Sequence, residues 1–209
     1  MCYIFIMGIL EDSLTDEDII LAYKDGNLEA FKKLIDRYTP LLYNFTARLS
    51  NKNDAPDIVQ ESFVKVWKNL NRFDSKRASF KTWIFTIAKN TTTDFLRKKK
   101  SILFSDMPGR TGGNNKDVNE EKNSFAENIP AEETLPDLAL IKLEDSAFLN
   151  QILEKLTPSY REVLVLHYQE EMTFDEIGKV LDKPLNTVKS QHRRAIMELR
   201  RMIDLTAPN

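Results

Sequence analysis

Asp57 and Glu61 are the residues whose type and spacing come nearest to catalytic or metal-binding chemistry. They lie four positions apart, so on a helix both carboxylates would share one face. Neither has the neighbouring histidine or third carboxylate that a metal site or a metal nuclease needs. His167 and His192 also lack partners at ligand spacing, and Cys2 is the single cysteine, which excludes an intramolecular disulfide and a cysteine-based zinc site. The sequence therefore predicts no metal site and no cofactor.

The same carboxylates fit a surface that contacts another protein. Gln60 lies beside them, and the three hydrophilic side chains could meet Arg and Lys of a partner. Phe63 or Trp67 could supply the apolar area that such a contact buries. Because apolar residues recur at spacings of three and four through this segment, Phe63 and Trp67 could equally belong to the protein's own core.

Basic charge is concentrated in two blocks, although the whole chain has a net charge of −2. Residues 65–100 contain eleven Lys and Arg against two Asp and Glu, and residues 183–201 contain six against one. Between these blocks, residues 101–140 contain three basic against eight acidic residues. Basic blocks of this kind indicate phosphate binding, and the acidic segment cannot share that role.

Helix signals occupy nearly every segment before the acidic one. Thr15 and Asp18 have the pattern of a capping box, and Asn27 is expected to cap the next helix. Pro40 is expected to kink or break that helix, and Asp54 to cap a third one. No run of residues alternates convincingly at period two, so the chain is predicted to be all-α.

Helix signals return after the acidic segment with the pattern of a helix-turn-helix. Thr173 and Glu176 form a second capping-box pattern, and Asp182 to Pro184 form a turn before a last, basic helix. Helix-turn-helix proteins place base and phosphate contacts at the start of the second helix. A solvated basic helix in an ordinary bundle remains the alternative. The exposed residues at this helix start are predicted to be Asn186, Thr187, Lys189, Ser190, Gln191, Arg193 and Arg194.

The acidic segment divides the chain into two helical domains. Residues 101–136 contain three glycines, acidic pairs and few large apolar side chains, which is the composition of a segment that does not order itself. The predicted organisation is an N-terminal extension at 1–13, a helical domain at 14–100, a flexible acidic linker at 101–137 and a helix-turn-helix domain at 138–205. The apolar stretch within the extension is too short to span a bilayer and lacks the features of a signal peptide. We therefore expect no membrane insertion and a cytoplasmic location.

Three motifs in this order resemble a bacterial RNA polymerase sigma factor of the sigma-70 family, extracytoplasmic-function (ECF) class. Asp57-Ile-Val-Gln-Glu61 through Trp67 is similar to the segment with which these factors dock on the polymerase clamp. Phe80-Lys-Thr-Trp-Ile-Phe-Thr-Ile-Ala-Lys-Asn90 through Arg97 is similar to the segment that opens and recognises the minus-ten element. Residues 156–201 resemble the domain that recognises the minus-thirty-five element. The sequence departs from the family pattern at Pro56, Ser62 and Asn186.

The resemblance implies three sets of site residues. Core RNA polymerase would be bound by Asp57, Gln60, Glu61, Phe63, Val64 and Trp67. Minus-ten DNA would be bound, with a base extruded into the loop before Phe80, by Asn71, Arg72, Lys76, Arg77, Ser79, Lys81, Lys89 and Asn90. Trp83 is expected to lie in the core rather than to stack on a base. Minus-thirty-five DNA would be bound by the seven exposed residues of the helix-turn-helix.

The resemblance also implies a function and partners. The protein would be a transcription initiation factor without catalysis of its own, acting with core RNA polymerase on promoter DNA, both as duplex and as a melted single strand. An anti-sigma factor is a further candidate partner. The alternative is an operator-binding regulator that uses only the helix-turn-helix and forms no holoenzyme. Copurification with polymerase distinguishes the two.

Overall fold

The structure is a computed structural model that describes residues 14–105 and 153–206. In the first range, α1 is Asp16–Lys24, α2 is Leu28–Leu49, α3 is Ala55–Asn69 and α4 is Phe80–Ser105, with a 3-10 turn at Leu70–Arg72. In the second, α5 is Pro158–Tyr168, α6 is Phe174–Leu181 and α7 is Leu185–Thr206. Neither range contains a strand, which confirms the predicted all-α class. Helix α4 continues five residues past the predicted end at Lys100, and most of the acidic segment lies outside the described residues.

Local capping signals in the N-terminal half were predicted with mixed success. The capping box of Thr15 and Asp18 is present at the start of α1. Asp54 occupies the N-cap position of α3, as predicted, but its side chain makes no capping hydrogen bond. Its carboxylate is taken instead by the Lys99 ammonium of α4, at 2.7 Å. Asn27 precedes α2 and likewise makes no side-chain cap.

Helix α2 runs without interruption through Pro40, so the predicted break does not occur. A proline inside a helix removes one backbone hydrogen bond and costs about 3 kcal/mol. Leu34 and Leu42 are fully buried on either side of it, and each buried side chain contributes roughly 2 kcal/mol. Tertiary packing of both turns therefore offsets the local cost.

The core of the N-terminal half is built where α2, α3 and α4 meet. Phe45 of α2 meets Phe85 of α4 edge to face, with ring centroids 5.2 Å apart. Tyr38 and Phe80 meet in the same manner at 5.3 Å. These buried aromatic pairs fix α4 against α2 and hold the basic side chains of α4 in a defined orientation.

The C-terminal half is a compact helix-turn-helix. The capping box of Thr173 and Glu176 is present at the start of α6, as predicted. The turn after α6 is tight, because a Cβ at Gly178 would lie 2.8 Å from the Lys183 carbonyl oxygen. Val188 and Ile196 of α7 are fully buried beneath α5 and α6. The remaining faces of α7 are left for solvent or a ligand.

The two halves contact each other directly. Helix α4 packs against α6, and α2 packs against α5. At the second contact, Arg161 Nη1 donates a hydrogen bond of 2.9 Å to the Arg48 carbonyl oxygen. Among the described helices, none combines the length and the apolar character that crossing a bilayer requires.

Candidate protein-docking and nucleic-acid interfaces

An apolar groove runs between α2 and α3 on the surface of the N-terminal half. It has a volume of about 870 Å³. Two of the predicted docking residues, Val64 and Trp67, are 42% and 53% exposed there. Phe63 is buried and forms part of the groove floor as well as the core. Large apolar side chains left this open are unusual on a monomer and indicate a contact surface.

The predicted hydrophilic docking residues border this groove. Asp57, Gln60 and Glu61 are all exposed on α3, and Gln60 lines the groove directly. Glu61 is partly engaged by Lys65 one turn later, at 3.1 Å. An apolar cleft is therefore flanked by carboxylates on one helix.

The other wall of the groove was not predicted from the sequence. It comes from α2, through Phe31, Ile35, Pro40 and Tyr43. The apolar residues of α2 form a stripe in which Leu34 is fully buried, whereas Phe31 and Ile35 are only partly buried and lie at the groove. The sequence sign of this second wall was the width of the apolar stripe on α2, which is broader than one buried helix face needs.

The loop between α3 and α4 carries most of the predicted minus-ten residues. Asp74 organises it by accepting a hydrogen bond from the Lys76 backbone N–H, at 3.0 Å, and by pairing with Arg77. Six predicted residues are exposed, namely Asn71, Arg72, Lys76, Arg77, Ser79 and Asn90.

Aromatic side chains support this loop from below. The Phe73 ring lies 5.5 Å from Phe80 and 5.1 Å from Trp83. Trp83 is only partly exposed and packs against the core, as predicted. The loop therefore presents polar side chains above a rigid aromatic base.

Lys81 and Lys89, the other two predicted minus-ten residues, face the C-terminal half. Lys81 Nζ donates to the Glu170 carbonyl oxygen at 2.5 Å and lies 3.7 Å from Glu170 Oε2. Lys89 is close enough to Glu162 to favour the charged form of that carboxylate. The structure thus separates these lysines from the exposed members of their set.

Burial shifts the titration of the groups at this contact. It raises the pKa of Glu170, against the opposing effect of Lys81 and Arg48. It also raises the pKa of Glu162, which Lys183 and Lys89 oppose. Burial lowers the pKa of Lys183. Charged groups of both signs are thus partly desolvated between the halves, where their mutual attraction is stronger than at an open surface.

The start of α7 presents the predicted minus-thirty-five residues together. Asn186, Lys189, Ser190, Arg193 and Arg194 are exposed, and Thr187 and Gln191 are partly exposed. Gln191 accepts a hydrogen bond from Lys183 Nζ at 3.2 Å, and Ser190 donates to the Thr187 carbonyl at 2.9 Å. This surface is available without movement of the two halves.

His192 lies in the same helix but points inward. Tyr168 OH and His192 Nε2 are 3.0 Å apart, and the ring lies 5.1 Å from that of His167. Burial, and secondarily His167, lower the pKa of His192 to about 4. Within the described ranges, no three His, Cys, Asp or Glu side chains are grouped as a metal site would require.

Family models and known proteins match both halves. A model described as sigma-70 region 2 matches residues 34–102, and one described as sigma-70 region 4 matches residues 152–201. The ECF RNA polymerase sigma factor SigW of Bacillus subtilis is 35% identical over 181 residues, which cover 86% of this chain and 92% of that protein. The first match spans α3 and most of α4, and the second spans α5, α6 and most of α7.

Solved structures share the fold. CnrH in complex with the cytosolic domain of CnrY is 26% identical, with a TM-score of 0.61, covering 92% of this chain and 100% of that one. The sigma factor RpoE in complex with the anti-sigma factor NepR, from Bartonella quintana, has a TM-score of 0.60 at 21% identity, covering 85% and 98%. The second likeness concerns the fold alone.

Proposed function

Because this chain belongs to the ECF sigma factors of the sigma-70 family, we propose that its three exposed surfaces bind core RNA polymerase, the minus-ten element and the minus-thirty-five element. The protein is a transcription initiation factor that directs RNA polymerase to promoters. The observation that carries the residue assignments is the pairing, on one chain, of an acidic-rimmed apolar groove with two separate basic surfaces.

The groove between α2 and α3 is the proposed polymerase-binding site. A helix of the polymerase would insert apolar side chains against Trp67 and Val64, where exposed area is lost on binding. Basic residues of the polymerase would meet Asp57 and Glu61 at the rim, which speeds association and fixes orientation. The α2 wall, with Phe31 and Tyr43, belongs to the same site in this proposal.

The loop before α4 is the proposed minus-ten surface. Its exposed lysine and arginine side chains would neutralise phosphates, and its polar groups would surround an extruded base. Lys81 and Lys89 would join this surface once the C-terminal half moves away. The start of α7 is the proposed minus-thirty-five surface, with Asn186, Ser190 and Gln191 at base edges and Lys189, Arg193 and Arg194 on phosphates.

Other parts of the function follow from family membership. The chain would lend specificity and strand binding without catalysis of its own, and it would act in the cytoplasm, where polymerase and promoters are. An anti-sigma factor is a candidate partner class because RpoE, which shares the fold, was solved with one. An operator-binding regulator would not need the groove, so polymerase binding separates the two functions.

The experiment that tests the docking site is copurification of core RNA polymerase with a double variant, Asp57→Lys with Glu61→Lys. We expect polymerase binding to be lost, while the free energy of unfolding changes by about 0.5 kcal/mol or less, because both side chains are exposed. The matched control is Asp36→Lys with Asp94→Lys, which changes the charge equally at exposed sites outside the groove.

A second variant tests the apolar part of the site. Trp67→Ala removes exposed area without opening the core, so it should weaken polymerase binding and leave the melting temperature nearly unchanged. Full binding by both Asp57→Lys/Glu61→Lys and Trp67→Ala would overturn the docking assignment.

A further inference from the structure

Part of the contact between the two halves joins acidic residues of the C-terminal half to basic residues of the N-terminal half. Glu170 is 3% exposed, although it lies in the short connection between α5 and α6. Its carbonyl oxygen accepts from Lys81 Nζ, and its carboxylate is an ion-pair partner of the same ammonium. One turn further along this surface, Glu176 Oε1 lies 3.5 Å from Thr82 Oγ1. The start of α4 is therefore covered by the carboxylates that flank α6.

A second set of charges extends the contact along α4. Lys89 and Lys183 both favour the charged form of Glu162 in α5. Arg48 of α2 acts in the same way on Glu170. Each carboxylate is thus attracted by at least one cation of the N-terminal half, and Lys81 and Lys89 belong to the proposed minus-ten surface.

We propose that Glu170, through its contact with Lys81, forms an acidic latch that keeps the free chain closed and holds Lys81 away from DNA, with Glu162 adding longer-range attraction for Lys89. The Glu170 carbonyl oxygen accepts a hydrogen bond from the Lys81 ammonium and the Glu170 carboxylate lies 3.7 Å from it. The latch and the phosphates of the DNA backbone therefore compete for the same cation. This inference rests on the proposed minus-ten surface. It adds that the surface is incomplete until the C-terminal half leaves α4.

The closed arrangement leaves the polymerase-docking groove open. Val64 and Trp67 are exposed while Lys81 is half-buried against Glu170, and among the described residues those that line the groove belong to α2 and α3. The free chain could therefore bind polymerase before its halves separate. Recognition of the minus-ten strand would follow that step, which would limit binding of DNA by free protein.

The test compares the full-length chain with Glu162→Gln/Glu170→Gln. The matched control is Glu154→Gln/Glu198→Gln, which removes two carboxylates from the same half and makes none of the contacts described above. Small-angle X-ray scattering measures the radius of gyration, and fluorescence anisotropy measures affinity for a labelled, mixed-sequence single-stranded oligodeoxynucleotide. Circular dichroism checks that helix content is retained.

We expect the latch variant to have a larger radius of gyration than wild type and to bind the oligodeoxynucleotide about fivefold to tenfold more tightly, whereas the control stays within about twofold. Lys81→Met, compared with Lys76→Met, opens the chain from the other half and keeps the test valid if the Glu variants do not fold. Its readout is the radius of gyration alone, since Lys81 also belongs to the proposed DNA surface.

Two results would overturn the inference, and they differ in meaning. An unchanged radius of gyration in both latch variants would show that these charges do not hold the halves together, and the proposed DNA surface would stand. An expanded chain with unchanged affinity would show that Lys81 and Lys89 do not bind DNA, so that part of the proposed function would fail as well.

Discussion

The two basic surfaces of this protein differ in what keeps them in shape. The surface on α7 is fixed by the interior of its own half, through the tight turn at Gly178 and the buried residues beneath the helix. The surface around α4 is divided between an exposed loop and two lysines that face the other half. If these surfaces bind DNA as proposed, upstream recognition would depend on local packing, whereas minus-ten recognition would also depend on the relative position of the halves.

The largest expected effect comes from Gly178→Ala. A Cβ at this position would lie 2.8 Å from the Lys183 carbonyl oxygen, and a backbone atom cannot move aside as a flexible side chain does. We expect a loss of about 3 kcal/mol in the free energy of unfolding of the C-terminal half. Thermal unfolding followed by circular dichroism measures it.

Gly26→Ala is the matching change in the N-terminal half. Gly26 has a φ of +100°, and a Cβ added there would have nothing within 4 Å, so the cost is backbone strain alone, about 1 to 2 kcal/mol. If the two variants were equally destabilised, the turn at Gly178 would have relaxed and would not control the α7 surface.

Local signals were the part of the fold that the sequence could predict. Each capping box joins residues three apart, so Thr15 with Asp18 and Thr173 with Glu176 were identified correctly. Asp54 lies at the predicted N-cap position but makes no capping hydrogen bond, because its carboxylate binds Lys99, a residue 45 positions away. A partner at that distance along the chain is not visible in a local pattern.

For the candidate surfaces, too, residues close together along the chain were predicted and contacts between distant segments were not. The docking residues of α3 and the minus-thirty-five residues of α7 could be proposed from the sequence because each set lies on a single helix. The α2 wall of the groove was missed because helical periodicity does not show which apolar residues a neighbouring helix covers; Phe31 and Ile35 lie at the groove while Leu34 is buried. The contact of Lys81 with the C-terminal half was missed because its partner, Glu170, lies 89 positions away along the chain.

Acid should lower the stability of the C-terminal half through a group that the N-terminal half lacks. Both histidines, His167 and His192, lie in that half, and His192 has a pKa of about 4 in the folded protein against an ordinary value of 6.5. Between these values the unfolded chain binds more protons. Stability is therefore full above about pH 6.5 and falls by about 2 to 3 kcal/mol as the pH approaches 4.

Amide hydrogen exchange in the full chain measures the loss of stability with falling pH for each half separately, after correction for the intrinsic exchange rate. Protection in α7 should fall with pH more steeply than protection in α2. His192→Gln should flatten the α7 profile, since Gln can still bond to Tyr168 but does not titrate. An identical profile in the variant would assign the acid sensitivity to other groups.

The α7 surface should show two kinds of functional loss. Asn186→Ala or Gln191→Ala should change preference at single base pairs of the upstream element by about 2 kcal/mol. Lys189→Ala should instead weaken binding to all sequences and reduce its salt dependence. Holoenzyme binding to a promoter library randomised upstream distinguishes the two. The same sequence-independent loss in all three variants would reduce α7 to a phosphate-binding helix.

The smallest expected effect is a gain in stability at the connection between α5 and α6. Glu171 has a φ of 53° although it is not glycine, and the left-handed conformation costs a side chain of this type about 1 to 2 kcal/mol. Glycine adopts it freely but loses more entropy on folding, so Glu171→Gly should stabilise the C-terminal half by about 1 kcal/mol at most. Asp182, with a φ of 54°, is the control, because aspartate tolerates this conformation better and Asp182→Gly should gain less. Chemical denaturation of both variants measures the difference. A larger gain at Asp182 than at Glu171 would mean that contacts of the Glu171 side chain, next to the acidic latch, offset its strain.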